Sequence, residues 1–248
     1  MAKQQRRLSR EIAEYAAIIA VVLIGRTALA EARYIPSGSM EPTLLIGDEI
    51  VSTKYAYGYS VASLPLGVVH PGAHRIFGRL PKRGDVVTFR WPGDGSEVWV
   101  KRVIGLPGDH IQMIGGVLHI NGQTVSEKPE PDGQVEDDDG TSEPALRFLE
   151  TLPGGVQHQI FQFSLNGPHS ETSDVLVPLG SVFVMGDDSD NSDDSRVPVA
   201  EGGVGLLPVA NLIGRVDWIL ASWDFAAPGG IGQKLHGIRW GRFASGVR

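Results

Sequence analysis

Apolar and polar positions change rhythm once along this chain, near Pro36. Ahead of that point, Ile12 to Ala30 reads IAEYAAIIAVVLIGRTALA, a nearly continuous apolar run. Its uncharged stretch, Tyr15–Gly25, has 11 residues, fewer than the ~20 that a ~30 Å hydrocarbon core needs. The run reaches spanning length if the long side chains of Glu14 and Arg26 extend to the interfaces. It then predicts a transmembrane anchor over residues 12–31, with a short N-terminal segment, 1–11, ahead of it. The same features, with ALA at 28–30, also describe a cleavable signal peptide, and the segment alone leaves both readings open.

Beyond Pro36 the pattern is that of strands. IGDEIV (46–51), RGDVVTF (83–89) and PGDHIQMI (107–114) share one device, a Gly-Asp turn followed by a β-branched apolar run. GGVLHINGQTV (115–125) predicts a hairpin with Asn121-Gly122 at its tip. SVFVMGD (181–187) and NLIGRVDWILASW (211–223) supply further strands. Residues 127–144, with eight acids and one lysine, show no aliphatic period and read as a solvated loop. The Gly-rich tail, 226–248, suggests no chemistry.

Composition narrows the choice of chemistry. Gly 32 and Pro 16 favour a turn-rich β fold, and the absence of cysteine removes disulfides, thiolate catalysis and Cys-based zinc sites. The net charge of −7 divides unevenly: residues 1–33 carry +3 and the remainder −10. An acidic body disfavours nucleic acid, whereas four basic residues ahead of the apolar run place the N-terminus inside and the body outside.

Three stretches can carry chemistry. SGSM places Ser37 and Ser39 around a glycine and between prolines, in a turn that a substrate can approach closely. A serine needs a base, and the seven histidines show no convincing triad context, although triads assemble in space rather than in sequence. EVWVKRVIGLPGD (97–109) offers Lys101, which shares a strand face with Trp99 and Val103 and adjoins Arg102. Apolar neighbours and a nearby guanidinium both lower an ammonium pKa, while the plainer reading is a lysine snorkelling from an edge strand. GDDSDNSDDSR (186–196) holds five aspartates, but its spacing fails the calcium-loop pattern, with Asp193 at the glycine position and Val199 at the closing glutamate. A polar turn network that positions catalytic groups is the sharper alternative.

Taken in order, SGSMEPTL, GDVVTF, VKRVIGLPGD and GDDSDNSDDSR resemble bacterial type I signal peptidase, the membrane-anchored serine protease that removes signal peptides. The resemblance implies Ser39 as nucleophile, Lys101 as general base and Ser37 as an oxyanion donor beside the Ser39 N–H. It gives Ser192 the task of orienting the Lys101 amine. Asp194 with Arg196, and Asp187 with Arg102, become supporting pairs, while Ile35, Met40 and Trp99 line pockets for alanine at the −1 and −3 substrate positions. No cofactor or metal is implied. The partners are exported preproteins carrying signal peptides, and membrane lipid; no nucleic acid and no obligate protein partner are expected.

The fold implied is mainly β: an antiparallel β-sheet catalytic core (32–122 and 181–225), preceded by one N-terminal transmembrane helix. A second β region with the acidic loop (123–180) is inserted into the core. The resemblance also favours a retained single-pass anchor in the bacterial cytoplasmic membrane, N-terminus in the cytoplasm and catalytic domain on the extracytoplasmic face. The chain departs from the family where Gly-Asp-Asn-Arg is usual, having Gly186-Asp187-Asp188-Ser189. Competing readings are a self-cleaving repressor protease, a dedicated processing peptidase for a pilus or conjugation substrate, and a non-catalytic membrane-tethered binding protein. The first is disfavoured by the apolar N-terminus, and the last predicts no phenotype for Ser39→Ala.

Overall fold

In the computed structural model, the three Gly-Asp pairs close the same turn. Gly47, Gly84 and Gly108 have φ of 92°, 88° and 92°, a region that favours glycine. The following carboxylate accepts the amide three residues back: Leu45 N to Asp48 Oδ2 at 2.9 Å, Lys82 N to Asp85 Oδ2 at 2.9 Å, and Leu106 N to Asp109 Oδ2 at 2.7 Å. Each turn thus satisfies its own backbone and leads into a strand. The structure describes residues 11–18, 21–22, 25, 29–63, 75–136, 142–164, 166–167, 169–224 and 237–247.

In chain order the strands are β1 (Ala30–Tyr34), β2 (Asp48–Thr53), β3 (Val86–Arg90), β4 (Val98–Gly105) and β5 (His110–Ile114). Then follow β6 (Val117–Ile120), β7 (Gln123–Thr124), β8 (Ser126–Glu136), β9 (Ser142–Thr151) and β10 (Gln157–Gln162). The last are β11 (Val175–Leu176), β12 (Ser181–Met185), β13 (Leu207–Pro208), β14 (Leu212–Ser222) and β15 (Ser245–Gly246). The main sheet runs β1-β2-β14-β3-β4-β12-β13, with β15 on β14, and all its pairings are antiparallel. Two smaller sheets, β11-β5-β6-β7 and β10-β9-β8, complete a mainly β architecture.

Strands β4 and β12 are neighbours in the main sheet, so residues 106–180 lie between two adjacent strands. The inserted region therefore begins before residue 123, since β5 and β6 already belong to the second sheet. Gly105 permits the departure: a Cβ there would sit 2.8 Å from Phe183 Cβ and 2.9 Å from Ile111 Cγ1. Ile104, Ile111, Leu118, Ile120, Phe183 and Met185 form the core that joins this sheet to the main one. The expected hairpin is present, with Asn121 and Gly122 at φ 55° and 74° and Ile120 opposite Gln123.

The acidic stretch is not a free loop. It forms β8 and β9, an antiparallel pair whose tip, 137–141, lies outside the described residues. Val135 and Ala145 turn inward on Phe161, and the acids occupy the other positions. Strand β8 is an edge strand, which is why Pro129 and Pro131 are tolerated there.

At the N-terminal end, residues 11–18 are helical and exposed. Among the described residues no helix is long and apolar enough to cross a membrane, and residues 19–20, 23–24 and 26–28 of the expected anchor lie outside them. The expected span ends too late: Ala30 and Glu31 are already in β1, opposite Thr53 and Ser52. Part of the tail docks on the core. Arg239 Nη1 donates to Ile46 O at 2.7 Å, and Arg242 donates to Thr43 O at 2.9 Å and pairs with buried Asp48.

Candidate active site

Ser39 sits in the loop between β1 and β2, which is closed by Glu41 N to Gly38 O and Leu44 N to Met40 O, both at 2.8 Å. Ile35, Met40 and Leu44 anchor it in a core shared with Ile50, Val86, Val216 and Ile219. Lys101 lies on β4, opposite Val87 of β3. On the other side of β4, pairing to β12 begins only at Arg102, opposite Met185. Lys101 therefore occupies an interior strand at the point where its second neighbour peels away.

The two side chains meet. Lys101 Nζ is 2.6 Å from Ser39 Oγ, and the lysine is 3% exposed. Burial pushes its pKa down from 10.5 to about 8, against the opposing pull of the Asp194 carboxylate and with help from Arg196. An edge lysine reaching for water is thus not what the structure contains. A groove of about 470 Å³ opens beside the pair, lined by Ser37, Ile35, Met40 and Trp99 among others. Its floor also includes Glu97, Asn191 and Asp193, residues that carried no recognisable signal in the sequence. Trp99 is fixed by stacking on Trp91, with ring centroids 5.8 Å apart, and by donating Nε1 to Glu97 Oε2 at 2.8 Å.

The aspartate-rich loop builds the wall behind the pair. Asp194 receives Arg196 in a two-pronged contact, Nε at 2.9 Å and Nη2 at 2.8 Å, and also the Gly186 amide at 3.0 Å. Burial would raise the Asp194 carboxyl, but the Arg196 guanidinium outweighs it and holds that carboxyl below the usual carboxylate range. Ser189 receives Arg196 Nη1 on its hydroxyl at 3.2 Å and Nη2 on its carbonyl at 2.6 Å. Ser192 differs from expectation: its buried Oγ has no hydrogen-bond partner, so no hydrogen bond ties it to the Lys101 amine. It instead packs against Gly186, where an added Cβ would meet Ser192 Oγ and the Ser39 carbonyl, each at 2.4 Å.

A second buried pair supports β4 from its other face. Arg102 and Asp187 make two bonds of 2.7 Å, and Arg102 also donates to Gly84 O at 2.8 Å and Thr43 Oγ1 at 3.1 Å. His158 and Glu150 extend this network, 3.3 Å apart. Burial raises Glu150 to about 8 and lowers His158 to about 4, so both are neutral near pH 7. Among the described residues no group of three or more His, Asp or Glu is arranged to hold a metal ion.

A serine touching a buried, readily deprotonated lysine is the equipment of an acyl-transfer hydrolase. The family described as signal peptidase, peptidase S26, matches residues 8–223. Signal peptidase I of Rickettsia typhi is 39% identical over 234 residues, covering 90% of this chain and 85% of its own. That of Rickettsia prowazekii is 38% identical over 229 residues, covering 88% and 83%. A crystal structure of a signal peptidase I from Enterococcus faecalis shares 27% identity, covering 55% of this chain and 97% of its own, with a TM-score of 0.31. With a match that takes in the serine, the lysine and the aspartate-rich loop, the chain belongs to the signal peptidase family, peptidase S26.

Proposed function

We propose that Ser39 and Lys101 are the catalytic dyad with which this chain, a serine endopeptidase of the signal peptidase I family, removes signal peptides from preproteins. The observation that carries the assignment is the 2.6 Å contact between a serine hydroxyl and a buried lysine amine. A lysine titrating at about 8 is roughly one-tenth neutral at pH 7. At the ordinary value near 10.4, only about 4 in 10,000 would be neutral, so the site, chiefly through burial, raises the supply of free base by about two orders of magnitude.

Neutral Lys101 takes the proton as Ser39 Oγ attacks the scissile carbonyl, then delivers it to the leaving amine as the C–N bond breaks. Water hydrolyses the resulting ester, its proton passing through Lys101 and back to Ser39. The donors proposed for the oxyanion are the Ser37 hydroxyl and the Ser39 N–H, a reading supported by both residues lining the groove, and losing one such donor costs about 10²–10³ in rate. The extended segment before the cleavage site lies along the open edge of β4, with small side chains directed at Ile35, Met40 and Trp99. That arrangement favours Ala-x-Ala sites. The anchor of residues 12–29 holds the domain on the extracytoplasmic face of the bacterial cytoplasmic membrane, so that enzyme and signal peptide share one bilayer.

The test is cleavage of a model preprotein in lipid, with N-terminal sequencing of the product. Ser39→Ala and Lys101→Ala should each abolish cleavage. Full activity in either variant, or cleavage after a bulky residue, overturns the assignment.

A further inference from the structure

Behind the nucleophile lies a carboxyl group that the dyad does not use. Asp188 is fully buried, and its backbone N–H donates to the Ser39 carbonyl at 3.3 Å. Neither carboxyl oxygen has a hydrogen-bond partner. The amides of Asp190 and Asn191 lie close enough to soften the cost of charge there without meeting hydrogen-bond geometry.

Among the described residues no cation makes an ion pair with Asp188, although Arg196 and Lys101 lie within its field. From the nucleophile loop comes Glu41, itself buried and a source of like-charge repulsion. From its own loop come Asp190, whose carboxylate accepts the Phe163 and Ser164 amides, and Arg196, already committed to Asp194 and Ser189. Asp193 and Asp194 are further acids within the field at Lys101. From β4 comes Lys101, which must be neutral to act. On β10, the residue bridged to Asp188 is Phe161, which is apolar.

A buried carboxyl with no donor and an acidic neighbour keeps its proton. We propose that Asp188 is a positioning residue of the dyad, a neutral acid beneath Ser39 whose ionisation would hold Lys101 in its charged, inactive form. The inference rests on the Ser39–Lys101 reading. Burial first, and then Glu41, raise Asp188 to about 7, within the working range of the enzyme. Once ionised, Asp188 favours the ammonium form of Lys101. The two groups therefore titrate as a linked pair.

The experiment is the pH dependence of kcat/KM for preprotein cleavage by wild type, Asp188→Asn and Glu41→Gln. Asp188→Asn removes the ionisable acid while keeping its shape. Its acid limb should move to lower pH, with kcat/KM at pH 7 rising about two- to tenfold. Glu41→Gln should do the opposite, because Asp188 without its acidic neighbour ionises sooner and holds the proton on Lys101. Thermal melting gives a second reading: the fall in Tm between pH 5.5 and 8 should be smaller for Asp188→Asn than for wild type. Limbs that stay put, shifts of the same sign in both variants, or loss of activity at every pH with folding intact overturn the role of Asp188. If Asp188→Asn does not fold, Glu41→Gln still decides by the direction of its shift. A Lys101→Ala control run alongside separates the two claims, since activity there sinks the dyad itself.

Discussion

Gly186→Ala probes Ser39, the proposed nucleophile, without replacing it. The added Cβ would lie 2.4 Å from the Ser39 carbonyl oxygen and 2.4 Å from Ser192 Oγ. Rotation of Ser192 moves its Oγ but not its Cβ, which lies 2.6 Å from the added atom, and the Ser39 oxygen belongs to backbone. Ordinary carbon–oxygen contact needs about 1 Å more, so the Ser39 loop or the end of β12 must yield by about that much. A displacement of ~1 Å at a reacting group costs on the order of 10²-fold in rate. The overpacking itself should cost about 1–3 kcal/mol of stability. Gly108→Ala is the matched control, since its φ is +92° yet nothing lies within 4 Å of the new Cβ. It should lose about 1–2 kcal/mol from backbone strain and keep its kcat. Single-turnover cleavage of a preprotein in detergent micelles, with thermal melts of both variants, measures the two effects separately. Gly186→Ala activity within threefold of wild type, or an equal kcat loss in Gly108→Ala, would refute the steric argument.

Two further outcomes follow from charge. The proposed base, Lys101, acts in its neutral form, and with burial lowering it to about 8, kcat/KM should climb with pH through that value and then level. Lys101→Arg should be inactive across the range, and a profile flat from pH 6 to 9 would count against the lysine as base. In the second case, Glu150 has its folded pKa raised to about 8, so its contribution is full below the unfolded value and is lost as pH rises through about 8. His158, lowered to about 4, works in the other direction, since stability falls as pH drops from 6.5 toward that value. The two slopes offset each other up to about pH 6.5, leaving a net loss between there and pH 8, on the order of 2 kcal/mol for Glu150 alone. Urea melts of Glu150→Gln should show that loss reduced, and an unchanged pH dependence would discount the buried acid.

The parts of this molecule that were readable in advance are those written locally. Each Gly-Asp turn closes on its own aspartate, and SGSM and VKRVIG are short stretches whose serine and lysine the fold brings to 2.6 Å. The acidic segment was misjudged because an edge strand admits prolines and acids that otherwise mark loops. Its two inward residues, Val135 and Ala145, gain meaning only against Phe161, which is distant in sequence. Ser192 was expected to serve Lys101, but the fold turns its hydroxyl toward Gly186 without a bond. The tail gave no hint of its docking because Arg239 and Arg242 bind backbone carbonyls and one buried aspartate, partners that leave no periodic trace.

The order of strands has a consequence for how this protease comes into being. Strands β2 and β3 are not hydrogen-bonded to each other; β14 lies between them. The serine is carried by the β1–β2 half of the main sheet and the lysine by the β3–β4–β12 half, and among the described residues the sheet joins those halves through Leu212–Ser222 alone. A growing chain therefore possesses Ser39 and Lys101, the proposed nucleophile and base, before it possesses the strand that sets their halves of the sheet in register. An interrupted product lacking β14 is left with two halves of the main sheet that are no longer bonded strand to strand, tied by loop contacts such as Arg102 to Thr43 and the Asp188 amide to the Ser39 carbonyl.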